Sequence, residues 1–243
     1  MKKLSLLILS VFFTIALQSQ SLIGAWKAST LDKNGDLIHN VVIFAEGYQV
    51  STWYDAKTGK FIATNGGAWS LEGNTITETI EFDTKNSSRI GTQVSFEIKY
   101  SDKRLEIVGD SKIWKRLDDG TPGKLQGAWL MSGRVRDGKT QMRDTNRPKT
   151  VPAAGRKTMK ILSGTRFQWI AYNIETKEFK GTGGGTYTTE NGKYTETIEF
   201  FSRDNSRVGA SLQFDYEFKD GAWHHKGFSS KGKALHEVWS QRQ

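Results

Sequence analysis

The chain has 243 residues, enough for one large domain or for two of about 100 residues, each able to bury its own core. It holds no cysteine, which excludes a disulfide framework, thiol chemistry and a lipid anchor on cysteine, so the fold rests on core packing. The formal net charge of +9 is a basic excess suited to acidic polysaccharide or lipid phosphate.

In chain order the first feature is Lys2 and Lys3, then an apolar run from Leu4 to Leu17, then a polar Gln-Ser-Gln-Ser exit with small residues. This is the pattern of a secretory signal peptide over residues 1–21, too short and wrongly flanked for a membrane span. It predicts a periplasmic or extracellular protein with no nucleic-acid partner. Setting aside Lys2 and Lys3 takes the charge from +9 to +7. No other stretch approaches about 18 consecutive apolar residues, so no membrane span is expected.

The remainder repeats itself. Gly24-Ala25-Trp26 recurs as Gly127-Ala128-Trp129, with Leu22 and Leu125 two residues ahead of each motif. Gly66-Gly67 recurs as Gly184-Gly185, Thr77-Glu78-Thr79-Ile80-Glu81-Phe82 as residues 195–200, and Ser88-Arg89-Ile90-Gly91 as Ser206-Arg207-Val208-Gly209, all at an offset of 118. The reading is a first repeat over 22–117, a linker over 118–124 and a second repeat over 125–243. The first motif recurs at an offset of only 103, so the second repeat holds about fifteen extra residues. They fall near 138–157, within a segment from Gly133 to Lys160 that carries nine basic residues against two acidic ones. With Pro148 and Pro152 it reads as a surface loop, and the two repeats are expected to fold largely independently.

Periodicity within each repeat is that of strands. Ile76, Glu78, Ile80 and Phe82 alternate with Thr75, Thr77, Thr79 and Glu81, and Ile90, Thr92, Val94, Phe96 and Ile98 alternate with polar or small neighbours. Turn signals such as Lys33-Asn34-Gly35-Asp36, Glu72-Gly73-Asn74 and Glu190-Asn191-Gly192 arrive at hairpin spacing, and no long helical period follows the leader. The fold class is all-β, two tandem antiparallel up-and-down barrels.

A Leu-x-Gly-x-Trp opening and a closing strand with Trp and Arg, both present twice, make the chain resemble the lipocalin and fatty-acid-binding (calycin) superfamily, and in particular lipocalin-like secreted bacterial proteins. The resemblance implies that Trp26 plugs one barrel with Arg116 across it, and that Trp129 does so with Arg242. Arg116 follows Trp114 by two residues, whereas Arg242 follows Trp239 by three.

Glu78 and Glu196 stand on the apolar faces of their strands, where a carboxylate is costly unless paired or protonated. Each shares its face with Ile80 and Phe82, or with Ile198 and Phe200. Arg89 and Arg207 fall on the opposite face and are expected to pair diagonally with Glu81 and Glu199. Aromatic residues gather before and after the Gly-Gly pairs: Tyr48, Trp53, Tyr54 and Trp69 in the first repeat, Phe167, Trp169, Tyr172 and Tyr187 in the second. The candidate ligand-binding set is Tyr48, Trp53, Trp69, Glu78, Phe167, Trp169, Tyr172, Tyr187 and Glu196, projecting into at least one barrel cavity. No metal or cofactor is expected, because His224 and His225 point to opposite faces while His39 and His236 lack spaced partners. No nucleophile triad, phosphate loop or dinucleotide fingerprint is present, so a binding role is favoured over an enzymatic one. The partner is a small apolar or amphipathic ligand, with carbohydrate or surface recognition as the alternative and a barrel-mouth hydrolase or isomerase behind it.

Overall fold

The computed structural model describes residues 21–143, 155–229 and 232–242, so the leader assigned to residues 1–21 lies outside the described residues except for Ser21. The first repeat forms eight antiparallel strands: β1 (Gly24–Leu31), β2 (Leu37–Ala45), β3 (Tyr48–Asp55), β4 (Phe61–Glu72), β5 (Thr75–Asp83), β6 (Gln93–Tyr100), β7 (Arg104–Ile107) and β8 (Ile113–Asp118). They pair in sequence order, and β8 pairs back onto β1 to close a barrel. The second repeat gives β9 (Gly127–Arg136), β10 (Lys139–Met142), β11 (Arg156–Leu162), β12 (Arg166–Asn173), β13 (Glu178–Glu190), β14 (Lys193–Phe201), β15 (Ser211–Lys219), β16 (Ala222–Phe228) and β17 (Ala234–Gln241). Pairing of β17 with β9 closes this second barrel, and β10 hangs on β9 as an extra hairpin strand.

The opening motif has a local cause. Gly24 sits at φ 122°, and a Cβ there would lie 2.2 Å from the Asp118 carbonyl oxygen. That close crossing lets the Trp26 indole N–H donate to the Leu22 carbonyl at 2.9 Å, and Trp129 repeats the bond to Leu125 at 2.9 Å. Arg116 lies over the Trp26 ring at 4.0 Å and donates to the Ile23 carbonyl at 2.8 Å, sealing that end of the first barrel. The second barrel differs. Trp129 pairs across the strands with Gln241, so Arg242 is one residue out of phase and emerges on the opposite face.

The Gly-Gly pairs also have a cause. A Cβ on Gly67 would come within 1.9 Å of the Thr79 oxygen, and one on Gly185 within 2.0 Å of the Thr197 oxygen. This close approach accommodates a bulge, for Gly66 opposes Phe82 while Gly67 opposes Ile80, with the same shift at Gly184/Gly185. Phe82 and Phe200 therefore leave the face of Glu78 and Glu196 that simple alternation assigns them. They turn outward into a cluster shared by both barrels.

That cluster joins Val41, Ile43, Val50, Tyr54 and Phe82 of the first barrel to Met159, Ile161, Ile170, Tyr172 and Phe200 of the second. The outer faces of the contributing strands are largely apolar, with a buried Thr52–Gln168–Thr64 hydrogen-bond bridge between them, so the two barrels are joined through a common core rather than standing apart. The contacts obey an approximate two-fold exchange. Tyr54 stacks on Phe200 at 5.0 Å and Tyr172 packs on Phe82 at 4.9 Å, while the equivalent pair Phe61 and Phe179 stack on each other at 5.9 Å. Tyr54 donates to Glu199 at 2.7 Å, and Tyr172 donates to Glu81 at 2.5 Å. Glu81 also takes a bidentate fork from Arg242 and an ion pair with Lys157 at 3.3 Å. Burial alone would push the Glu81 carboxyl up, but the Arg242 fork outweighs it and holds it below the ordinary range. Arg89 and Arg207 instead pair with Asp83 and Asp204, correcting the expected ladder to Glu81 and Glu199. Both arginines belong to short 3-10 turns, Ser87–Arg89 and Asn205–Arg207, so the strand expected from residue 90 begins only at Gln93.

The linker is tied down as well. Asp118 accepts from Ser163 Oγ at 2.7 Å, Gly164 N at 2.9 Å and Thr165 Oγ1 at 2.6 Å, fastening the end of the first barrel to the β11–β12 turn. Part of the basic insertion, expected as a loop, is strand. Residues 139–142 form β10, and Arg156, Lys157 and Lys160 belong to β11; residues 144–154 lie outside the described residues.

Candidate functional site: one hollow barrel and one filled

Inward positions of the first barrel follow directly from register. Phe44, Val42 and Asn40 on β2 face Gln49, Ser51 and Trp53 on β3, and Glu78 on β5 stands opposite Trp69. Together with Asn65, Ile76, Phe96, Ile98, Leu105, Ile107, Asp110, Lys112 and Trp114 they enclose a cavity of about 170 Å³. An apolar cavity of about 150 Å³ holds benzene, so a ligand of that size or slightly larger fits. The Trp26–Arg116 seal lies at the opposite end, and the cavity opens toward the β7–β8 turn.

Most polar groups of the wall satisfy one another. Trp114 Nε1 donates to Asn40 Oδ1 at 3.0 Å, Asn40 Nδ2 donates to Ser51 at 2.8 Å, and Lys112 pairs with Asp110 at 2.6 Å. Gln49 and Glu78 stand outside this network. Gln49 is 1% exposed, and neither end of its amide has a hydrogen-bond partner among the described residues. Glu78 has no ion-pair partner among the described residues, and burial pushes its carboxyl up to about 7 against the opposing influence of Arg89.

The second barrel fills the same space. Lys160, opposite Trp129 as Val42 is opposite Trp26, reaches inward and places Nζ 2.7 Å from Glu196. Its ammonium lies 4.9–5.8 Å from the ring centres of Tyr194, Phe214, Trp223 and Trp239. Tyr194 donates to Glu196 at 2.8 Å. His225 stacks edge-on to Phe214 at 4.0 Å, with Nδ1 3.5 Å from Glu237. Burial and the neighbouring Lys160 charge push His225 down to about 4. The equivalents in the first barrel are smaller: Ile76 for Tyr194, Leu105 for Trp223, Ile107 for His225 and Val42 for Lys160.

Of the nine residues singled out from sequence, the cavity brings together Trp53 and Glu78. Trp69 lies beside it as a tether, donating to the Ala45 carbonyl at 2.9 Å, and Tyr187 makes the equivalent bond to Ser163 at 2.5 Å. Glu196 is held by Lys160 rather than facing a ligand. Phe167 is buried in the packed second barrel, and Trp169 is half-buried against Phe201 at 5.5 Å. Tyr172 belongs to the surface between the barrels, as does Tyr48, whose ring carries the Arg242 guanidinium at 3.8 Å. Gln49, Phe96 and Trp114 were missed. They lie on β3, β6 and β8, and nothing in the residue types distinguishes a lining position from a packed one.

The class defined is a tandem of closed antiparallel eight-stranded barrels, one hollow and one packed. No protein-family model matches the chain, and no curated protein matches it. No helix among the described residues is long and apolar enough to cross a membrane.

Proposed function

We propose that the protein is an exported, lipocalin-like (calycin) binding protein without catalytic activity, holding a small amphipathic ligand in its first barrel. The observation that carries this reading is the buried Gln49 amide, without a hydrogen-bond partner at either end among the described residues and lining a largely apolar cavity of about 170 Å³. A buried amide left unmatched costs about 1–3 kcal/mol, which a polar ligand group offsets. The second barrel serves as a packed scaffold. A row of exposed rings, which glycan stacking needs, is not formed by the aromatic residues above, of which only Trp53 stands at the mouth.

The test is native mass spectrometry of the full exported chain purified from its own host. One small-molecule adduct per chain is expected, and it should vanish in Leu105→Trp, which copies the second barrel's filler into the first. A bare chain, or an adduct that survives the filled variant, removes the cavity from the function.

A further inference from the structure

The two barrels hold the same glutamate at the same register, and among the described residues only one of the two has a cation paired with it. In the second barrel the partner is an aliphatic primary ammonium, the end of the Lys160 side chain, delivered from the wall into a box of rings. In the first barrel the wall residue is Val42, which stops at its first branch. The volume that the lysine stem and its surrounding rings fill in one barrel is open in the other. Glu78 replaces Glu196, Phe96 replaces Phe214 and Trp114 replaces Trp239, so part of the cation-binding wall persists.

Resting on the proposed binding role, the geometry points to a small alkylammonium as the ligand of the first barrel, its ammonium set on Glu78 and its hydrocarbon against the apolar wall. The second barrel is in effect the occupied form, with Lys160 as a built-in ligand. Charge balance supports the choice of a cation over an anion. Lys112 is matched by Asp110, and Arg89 by Asp83, which leaves Glu78 as the charge on the cavity wall without an ion-pair partner among the described residues. Lys85 lies outside, exposed and over the Trp53 ring at 4.8 Å, where solvent and salt screen it. Gln49 offers its amide oxygen as a second acceptor for an ammonium proton. A carboxylate amphiphile of the same length would meet Glu78 head-on.

The experiment is calorimetric titration of the full exported chain at pH 8 with three probes of equal length: n-hexylamine, hexan-1-ol and hexanoate. Hexylamine should bind one per chain and on the order of tenfold or more tighter than hexan-1-ol, as expected for a charge-assisted contact beside aromatic rings, with hexanoate weakest. Glu78→Gln should erase the preference for the amine, bringing hexylamine and hexan-1-ol to comparable affinities, and Val42→Lys should abolish binding of both. Hexan-1-ol binding as tightly as the amine, or a preference that survives Glu78→Gln, overturns the alkylammonium assignment and leaves the cavity reading intact. Failure of all three probes overturns both. If Val42→Lys does not fold, the wild-type and Glu78→Gln titrations decide alone.

Discussion

Glu196 and Glu78 occupy the same place in two copies of one barrel and reach opposite electrostatic solutions. Glu196 is ion-paired with Lys160 within a ring of aromatic side chains, while Glu78 has no such ion-pair partner among the described residues and burial raises its carboxyl to about 7. The lesson is that a carboxylate on an apolar strand face specifies a problem rather than a role. The residue across the barrel, lysine or valine, decides whether the site becomes a packed core or a receptacle.

Separating the two barrels should have the largest effect. A chain of residues 22–117 alone would expose Val41, Ile43, Val50, Tyr54 and Phe82 as one apolar patch. It is expected to self-associate, and light scattering after gel filtration checks this. A monomeric half that unfolds cooperatively would show that the shared core is dispensable.

Next is the contrast between the glutamates. Lys160→Met strands Glu196 in a buried site and should cost about 3–5 kcal/mol, with Lys160→Met/Glu196→Leu recovering much of it. Glu78→Gln should change stability by no more than about 1 kcal/mol in either direction at neutral pH, since it removes no partner. Thermal unfolding of the variants compares them directly, and equal losses would mean that the two barrels are alike inside.

The pH dependence is smaller, and opposite in sign for the two barrels. A raised carboxyl gives Glu78 a contribution that is full below the unfolded value of 4.5 and lost as pH rises through about 7, with Arg89, Asp110 and Lys112 as the charged groups nearest its cavity. A depressed imidazole gives His225 a contribution that is full above 6.5 and lost as pH falls toward about 4. Glu78→Gln should therefore flatten the decline between pH 4.5 and 7, and His225→Leu the acid limb below 6.5, each by about 3 kcal/mol at most. Denaturant midpoints measured across pH check both. Smallest of all, Leu105→Trp should stabilise by about 0.5–2 kcal/mol by filling the hollow barrel, and a loss instead would mean that its wall cannot accept the ring.

Much of the fold was legible. Repeated motifs at a constant offset gave two barrels, and alternation placed Glu78 inside. The bulge was not legible, because Gly66-Gly67 reads equally as a turn or a close approach, and it moves Phe82 across the sheet. Arg242 misled for a related reason, since one extra residue after Trp239 reverses its face. Lys160 was hidden by its company. It sits at the end of a run of basic residues in the sequence, and only the closed barrel shows that its stem points inward. The run Val41-Val42-Ile43-Phe44-Ala45, apolar at every position, held the clue to the shared core, because a strand buried on both faces loses its alternation.

The crosswise exchange of Tyr54 with Glu199 and Tyr172 with Glu81 has an origin in symmetry. An isologous patch of this kind, in which each copy offers what the other receives, is how identical subunits form dimers. Joined in one chain, the two copies meet at a high effective concentration whatever the protein's abundance. Identity between them is then no longer required for assembly. One copy is free to carry a lysine that closes its interior, and the other to keep an interior that a molecule from outside can enter.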